Sequence, residues 1–106
     1  MAKYLVRATY SAEGSRGIIK DGGSGRRRAV QGLIESVGGT LEAFYYTFGD
    51  ADLIWICDLP TPADAVAMSL AINSARGAQV KVTQLLTVDE VDEGVSKAVV
   101  YHPPNR

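Results

Sequence analysis

Asp50 and Asp52 place two carboxylates two positions apart in the segment Gly49-Asp50-Ala51-Asp52. Such a pair can serve as acid, base or cation ligand. Aspartate also ties turns together by bonding nearby backbone amides, which is its commoner use in such segments. Arg7 and Lys81 each interrupt an apolar run. On one sheet face they would hold an anion or a carboxylate. The plainer account makes Lys81 an edge charge and Arg7 a paired or snorkelling side chain. Tyr45, Tyr46 and Trp55 could wall a flat ligand, although aromatics also fill ordinary cores. In Gly22-Gly23-Ser24-Gly25-Arg26-Arg27-Arg28, glycines and three arginines meet at the start of a helix. Free amides with Ser24, Arg26 and Arg27 could take a phosphate-like anion there. A solvated run of charge is the simpler reading. The segment has neither the Walker lysine nor the dinucleotide fingerprint.

Cys57 is the only cysteine and His102 the only histidine. No intrachain disulfide can form, and no metal cluster of cysteines or histidines is expected. Cys57 reads as a small buried hydrophobe, and His102 as a surface residue of a proline-containing tail.

These residues must be held by one modest domain, because the chain has 106 residues. A net charge of −1 gives no footprint for nucleic acid or anionic membrane, so neither is expected as a partner. The opening residues lack the apolar region of a signal peptide, and no run suffices to span a bilayer. A cytoplasmic protein is the expectation. No cofactor is indicated.

Residues 3–10 read as a first strand. Ser11 caps a short helix around 12–20, and Asp21-Gly22-Gly23-Ser24-Gly25 breaks it. Ser24 then caps a second helix whose apolar face is Ala29, Val30, Leu33, Ile34 and Val37. Gly38-Gly39 ends it, as a left-handed terminal position requires. A hairpin follows, residues 40–48 and 53–59 around the aspartate turn. Thr61-Pro62-Ala63-Asp64 starts a helix to about Ser74. Residues 79–86 alternate as a fourth strand. Thr87-Val88-Asp89-Glu90 is a capping box for a helix to about Ala98, and residues 99–106 form an extended tail after the domain of residues 1–98.

The order is that of the ferredoxin-like split β-α-β sandwich, an α+β fold with a four-stranded antiparallel sheet. Strands one and three should be central, and 53–57 is apolar without alternation. Such strands need cover on both faces, while the helices can cover only one. The expected partner is a second copy, giving a homodimer or higher homo-oligomer built as a dimeric α/β barrel.

Gly38-Gly39-x-Leu41-x-x-Phe44-Tyr45-x-x-Phe48-Gly49-x-x-Asp52, followed by Asp58-Leu59-Pro60 and by Leu85-Leu86-Thr87-Val88-Asp89-Glu90-Val91-Asp92, resembles the GYD domain. The resemblance covers nearly the whole chain. Gly49 and Asp52 match the signature, and Ala51 stands where tyrosine is typical. The resemblance implies a dimeric α/β barrel and singles out Asp52 over Asp50, but carries no established activity. Related barrels include small monooxygenases, haem-degrading enzymes and isomerases, among which fold does not choose.

Two functions follow as expectations. One is a barrel binding a small metabolite, with Arg7, Tyr46, Trp55 and Lys81 lining the pocket and Asp52 near its mouth. Either Phe44, Tyr46 and Phe48 or Tyr45 and Thr47 would face that interior. The other is a non-catalytic oligomerisation or sensor module. A nucleic-acid-binding sheet is disfavoured, because strand three lacks the basic-glycine-aromatic pattern.

Overall fold

A computed structural model describes residues 1–104; Asn105 and Arg106, at the end of the expected tail, lie outside the described residues. The elements are β1 (Ala2–Tyr10), α1 (Ala12–Ser36), β2 (Thr40–Tyr46), β3 (Leu53–Leu59), α2 (Pro62–Ser74), β4 (Ala78–Leu85) and α3 (Val88–Val95). The four strands form one antiparallel sheet in the order β2-β3-β1-β4. This is the split β-α-β arrangement, with β1 and β3 central.

Alternation decides which face each strand residue takes. Tyr4, Val6 and Ala8 of β1 and Leu53, Trp55, Cys57 and Leu59 of β3 are buried. They meet Val30 and Ile34 of α1 and Ala65 and Met68 of α2, and Val80 of β4 joins them. The opposite parity, including Leu5, Arg7, Ile54 and Ile56, lies on a face that no helix covers among the described residues. Among the described residues no helix is long and apolar enough to cross a membrane.

The glycine-rich break takes a different form from the expected one. α1 is continuous in direction of chain but kinks at Gly22, whose φ of 74° and ψ of 171° are non-helical. Glycine reaches positive φ without a Cβ penalty, so one residue absorbs the whole bend. The second limb therefore begins immediately after Gly22. Ser24 lies inside it, two residues past the boundary, and its side chain caps nothing among the described residues.

The end of α1 closes as expected. Gly38 N–H donates to Glu35 O at 3.0 Å and Gly39 N–H to Ile34 O at 3.0 Å, the paired bonds of a Schellman motif. Gly38 has φ 81°, the left-handed position. β2 stops at Tyr46, not at residue 48, because Thr47 leaves the ladder. Its N–H donates to Asp52 O at 2.9 Å and its hydroxyl to Ala51 O at 3.0 Å, closing the turn. α3 opens on its capping box, with the Glu90 carboxylate accepting from the Thr87 N–H at 3.0 Å, and ends at Val95, short of Ala98.

Candidate functional site

The hairpin turn is bound tightly to β1. Asp52 donates its N–H to Ala8 O at 2.9 Å, and its carboxylate accepts the N–H of Tyr10 at 2.9 Å. One acceptor oxygen is thus committed to backbone. Asp50 is exposed at the tip and makes no side-chain hydrogen bond among the described residues.

The uncovered sheet face carries Arg7 directly opposite Lys81 in the β1–β4 register, with Ile54 opposite Arg7 on the β3 side. Both cations are exposed, and neither forms an ion pair among the described residues. At the other end of the same face, Lys3 bonds Glu42 at 2.8 Å and Asp58 at 3.1 Å. Those bonds, Glu42 first, hold the Lys3 ammonium above its usual pKa. Between the two ends lies a shallow apolar hollow of about 60 Å³ walled by Leu5, Ala43, Tyr45, Ile54 and Ile56.

The aromatic residues divide between the faces. Phe44 pairs with Trp55 and Tyr46 with Leu53, so Phe44 and Tyr46 lie under the helices, while Tyr45 lies on the open face. Phe44 stacks on Trp55 with centroids 6.4 Å apart, and meets Tyr46 edge-on at 5.4 Å. Phe48 lies beyond the strand and is fully exposed. Tyr46 donates its hydroxyl to Gly23 O at 3.0 Å, which pins the kink of α1 over the end of the sheet.

That kink builds a pocket. A cavity of about 70 Å³ lies between sheet and helices, lined by Tyr10, Arg26, Val30, Leu53, Trp55 and Ile72 among others. A wider groove of about 400 Å³ shares Tyr10, Arg26, Leu33, Ile72 and Ala78 with it and runs along the first limb of α1 past Glu13. The Tyr10 hydroxyl is buried without a hydrogen-bond partner among the described residues, as is the indole N–H of Trp55. Burial pushes the Tyr10 phenol up to about 12; Tyr46 adds to the shift and the Arg26 guanidinium opposes it. Tyr46 is raised for the same first reason, again against Arg26. Arg26 is half-buried and forms no ion pair among the described residues.

The candidate residues therefore fall into three places. Tyr46, Trp55 and Arg26 gather on the helix side, Arg7 and Lys81 on the open face, and Asp52 at the strand end that carries Tyr10. Ser24 and Arg27 are exposed on the second limb of α1. Tyr10 was not among the expected site residues. The alternation Tyr4, Val6, Ala8, Tyr10 was the available signal, since it sets Tyr10 on the core side. Cys57 is fully buried and its thiol is pushed up to about 11 by that burial, as fits a core residue. His102 is exposed.

The family model for the GYD domain matches residues 4–95, so the chain belongs to the GYD domain family. No curated protein matches the chain.

Proposed function

We propose that this GYD-domain protein works as a homodimer, its two sheets packed face to face in a dimeric α/β barrel, and that each subunit binds a small metabolite under its helices. The observation that carries the assembly is the uncovered face. Leu5, Ala43, Tyr45, Ile54 and Ile56 form an apolar centre with no helix over it. A second copy supplies the missing layer, burying that centre at a gain of roughly 25 cal/mol per Å² of apolar surface.

Charge on the face supports the same reading. The Arg7–Lys81 end is uncompensated, whereas Lys3, Glu42 and Asp58 at the other end sum to −1. Like charges directly opposite across strands are destabilising, and more so once water is excluded. In a dimer whose strands run in opposed directions, the basic end of one sheet meets the acidic end of the other. Arg7 and Lys81 then act between the sheets, while the metabolite sits with Tyr10, Trp55 and Arg26, beneath the limb of α1 that Tyr46 holds through Gly23.

Sedimentation equilibrium tests the assembly. A dimer is expected at micromolar concentration, and Ile54→Glu, which adds a charge to the open face and leaves the helix-side core intact, is expected to give a folded monomer. A wild-type monomer at that concentration overturns it. The second reading, a non-catalytic assembly module, draws on α3, whose Val88, Val91 and Val95 are all exposed at helical spacing.

A further inference from the structure

We infer that the ligand of the Tyr10–Arg26 pocket is a short-chain monocarboxylate, its carboxylate on the Arg26 guanidinium and the Tyr10 hydroxyl and its alkyl end in the inner cavity. This inference rests on the pocket being a metabolite site.

The polar chemistry points to an acceptor with negative charge. Arginine has donors only and stays charged at any working pH. The Tyr10 phenol is neutral in its buried setting and has a hydrogen to give. Its hydroxyl hydrogen has no acceptor among the described residues, and a ligand oxygen supplies one. The Arg26 guanidinium, a planar fork, and the Tyr10 hydroxyl line both cavity and groove and match one carboxylate between them.

The apolar chemistry sets the size. The cavity walls are Ala8, Val30, Leu53, Ile72 and Val80 beside the Trp55 ring. Its volume of about 70 Å³ is several times the ~10–15 Å³ that holds one water by the same measure. That admits an alkyl stub of a few carbons.

The apolar walls also set the number of charges. A dicarboxylate held in the same way would place its second carboxylate among Ala8, Val30, Leu53, Ile72 and Val80. A charge buried there without a partner is costly.

The test uses the full chain with sodium butyrate, butyramide, succinate and inorganic phosphate as probes. Trp55 is the only tryptophan and lies in the cavity wall, so its fluorescence reports occupancy directly. Saturable butyrate binding is expected, at least tenfold tighter than butyramide, succinate or phosphate. Arg26→Gln should weaken butyrate at least tenfold and Tyr10→Phe about three- to tenfold, with circular dichroism unchanged. Butyramide binding as tightly as butyrate leaves the pocket a metabolite site but overturns the carboxylate assignment; tighter phosphate binding does the same. Saturable binding of butyrate that neither substitution weakens places it elsewhere and overturns the inference. No saturable binding of any probe overturns both the ligand class and the pocket.

Discussion

The carboxylate of Asp52 accepts the backbone N–H of Tyr10 at 2.9 Å, joining the hairpin turn to the last residue of the first strand. Together with the Asp52 N–H on Ala8 and the Thr47 N–H on Asp52, this bond fixes how β1 ends. Tyr10 carries the phenol that lines the cavity. The aspartate of the GYD signature therefore serves the pocket at one remove. It positions the strand end from which the phenol projects.

Asp52→Ala is expected to lower the unfolding free energy by about 1–2 kcal/mol, the usual effect of deleting an acceptor of a backbone amide. Asp52→Asn keeps an amide oxygen for the same N–H and should lose less. Urea titration followed by circular dichroism measures both. Equal stability of Asp52→Ala and the natural chain would show that the turn holds without this tie.

Cys57 provides a check on the core. Its thiol is buried and its pKa raised to about 11, so little thiolate forms at pH 8 and reagents cannot reach it. Ellman's reagent should react at least about a hundredfold more slowly with the native chain than with the urea-unfolded one. Fast native reaction would mean that the centre of β3 opens readily.

Much of this architecture was legible in the sequence because the signals were local. The caps at Ser11, Thr61 and Thr87, the Gly38-Gly39 terminus and the alternating strands each depend on neighbours in the chain. The sheet order followed from the element order and from which strands were apolar on both faces. The site was less legible. Tyr46 and Trp55 were grouped with Arg7 and Lys81, but residues two strands apart share a face only if their registers agree. The bulge between Leu41 and Ala43 shifts the parity of β2 before Phe44. Arg26 reaches Tyr10 only because Gly22 bends α1 and Tyr46 holds the bend through Gly23. That is a three-element relation with no short-range mark.

Alkaline stability should report the buried phenol. The Tyr10 pKa is raised from 10.0 to about 12 in the fold, chiefly by burial, so the unfolded chain releases this proton first. The stabilising effect of the neutral phenol is full below about pH 10 and is lost as pH rises toward about 12. Tyr46, also raised, acts in the same direction. Urea midpoints measured from pH 8 to pH 11.5 should fall less steeply above pH 10 for Tyr10→Phe than for the natural chain. Identical slopes would mean that the phenol titrates as it does in water.

The C-terminal helix separates the two readings of the assembly. α3 has eight residues, none buried, with Val88, Val91 and Val95 on one side exposed by 77%, 51% and 81%. A helix this short is marginal alone even with a good cap, so its amides should exchange freely in a monomer. Among the described residues, deleting residues 87–106 removes no core side chain, and the melting temperature of the Ile54→Glu monomer should change by less than about 2 °C on that deletion. If the open sheet face carries the dimer, the deletion applied to the natural chain should shift the dimer dissociation constant by less than about threefold. Slow exchange at residues 88–95 in the natural dimer, with loss of association on deletion, would instead assign assembly to the arm. The uncovered face of Leu5, Ile54 and Ile56 would then need another partner.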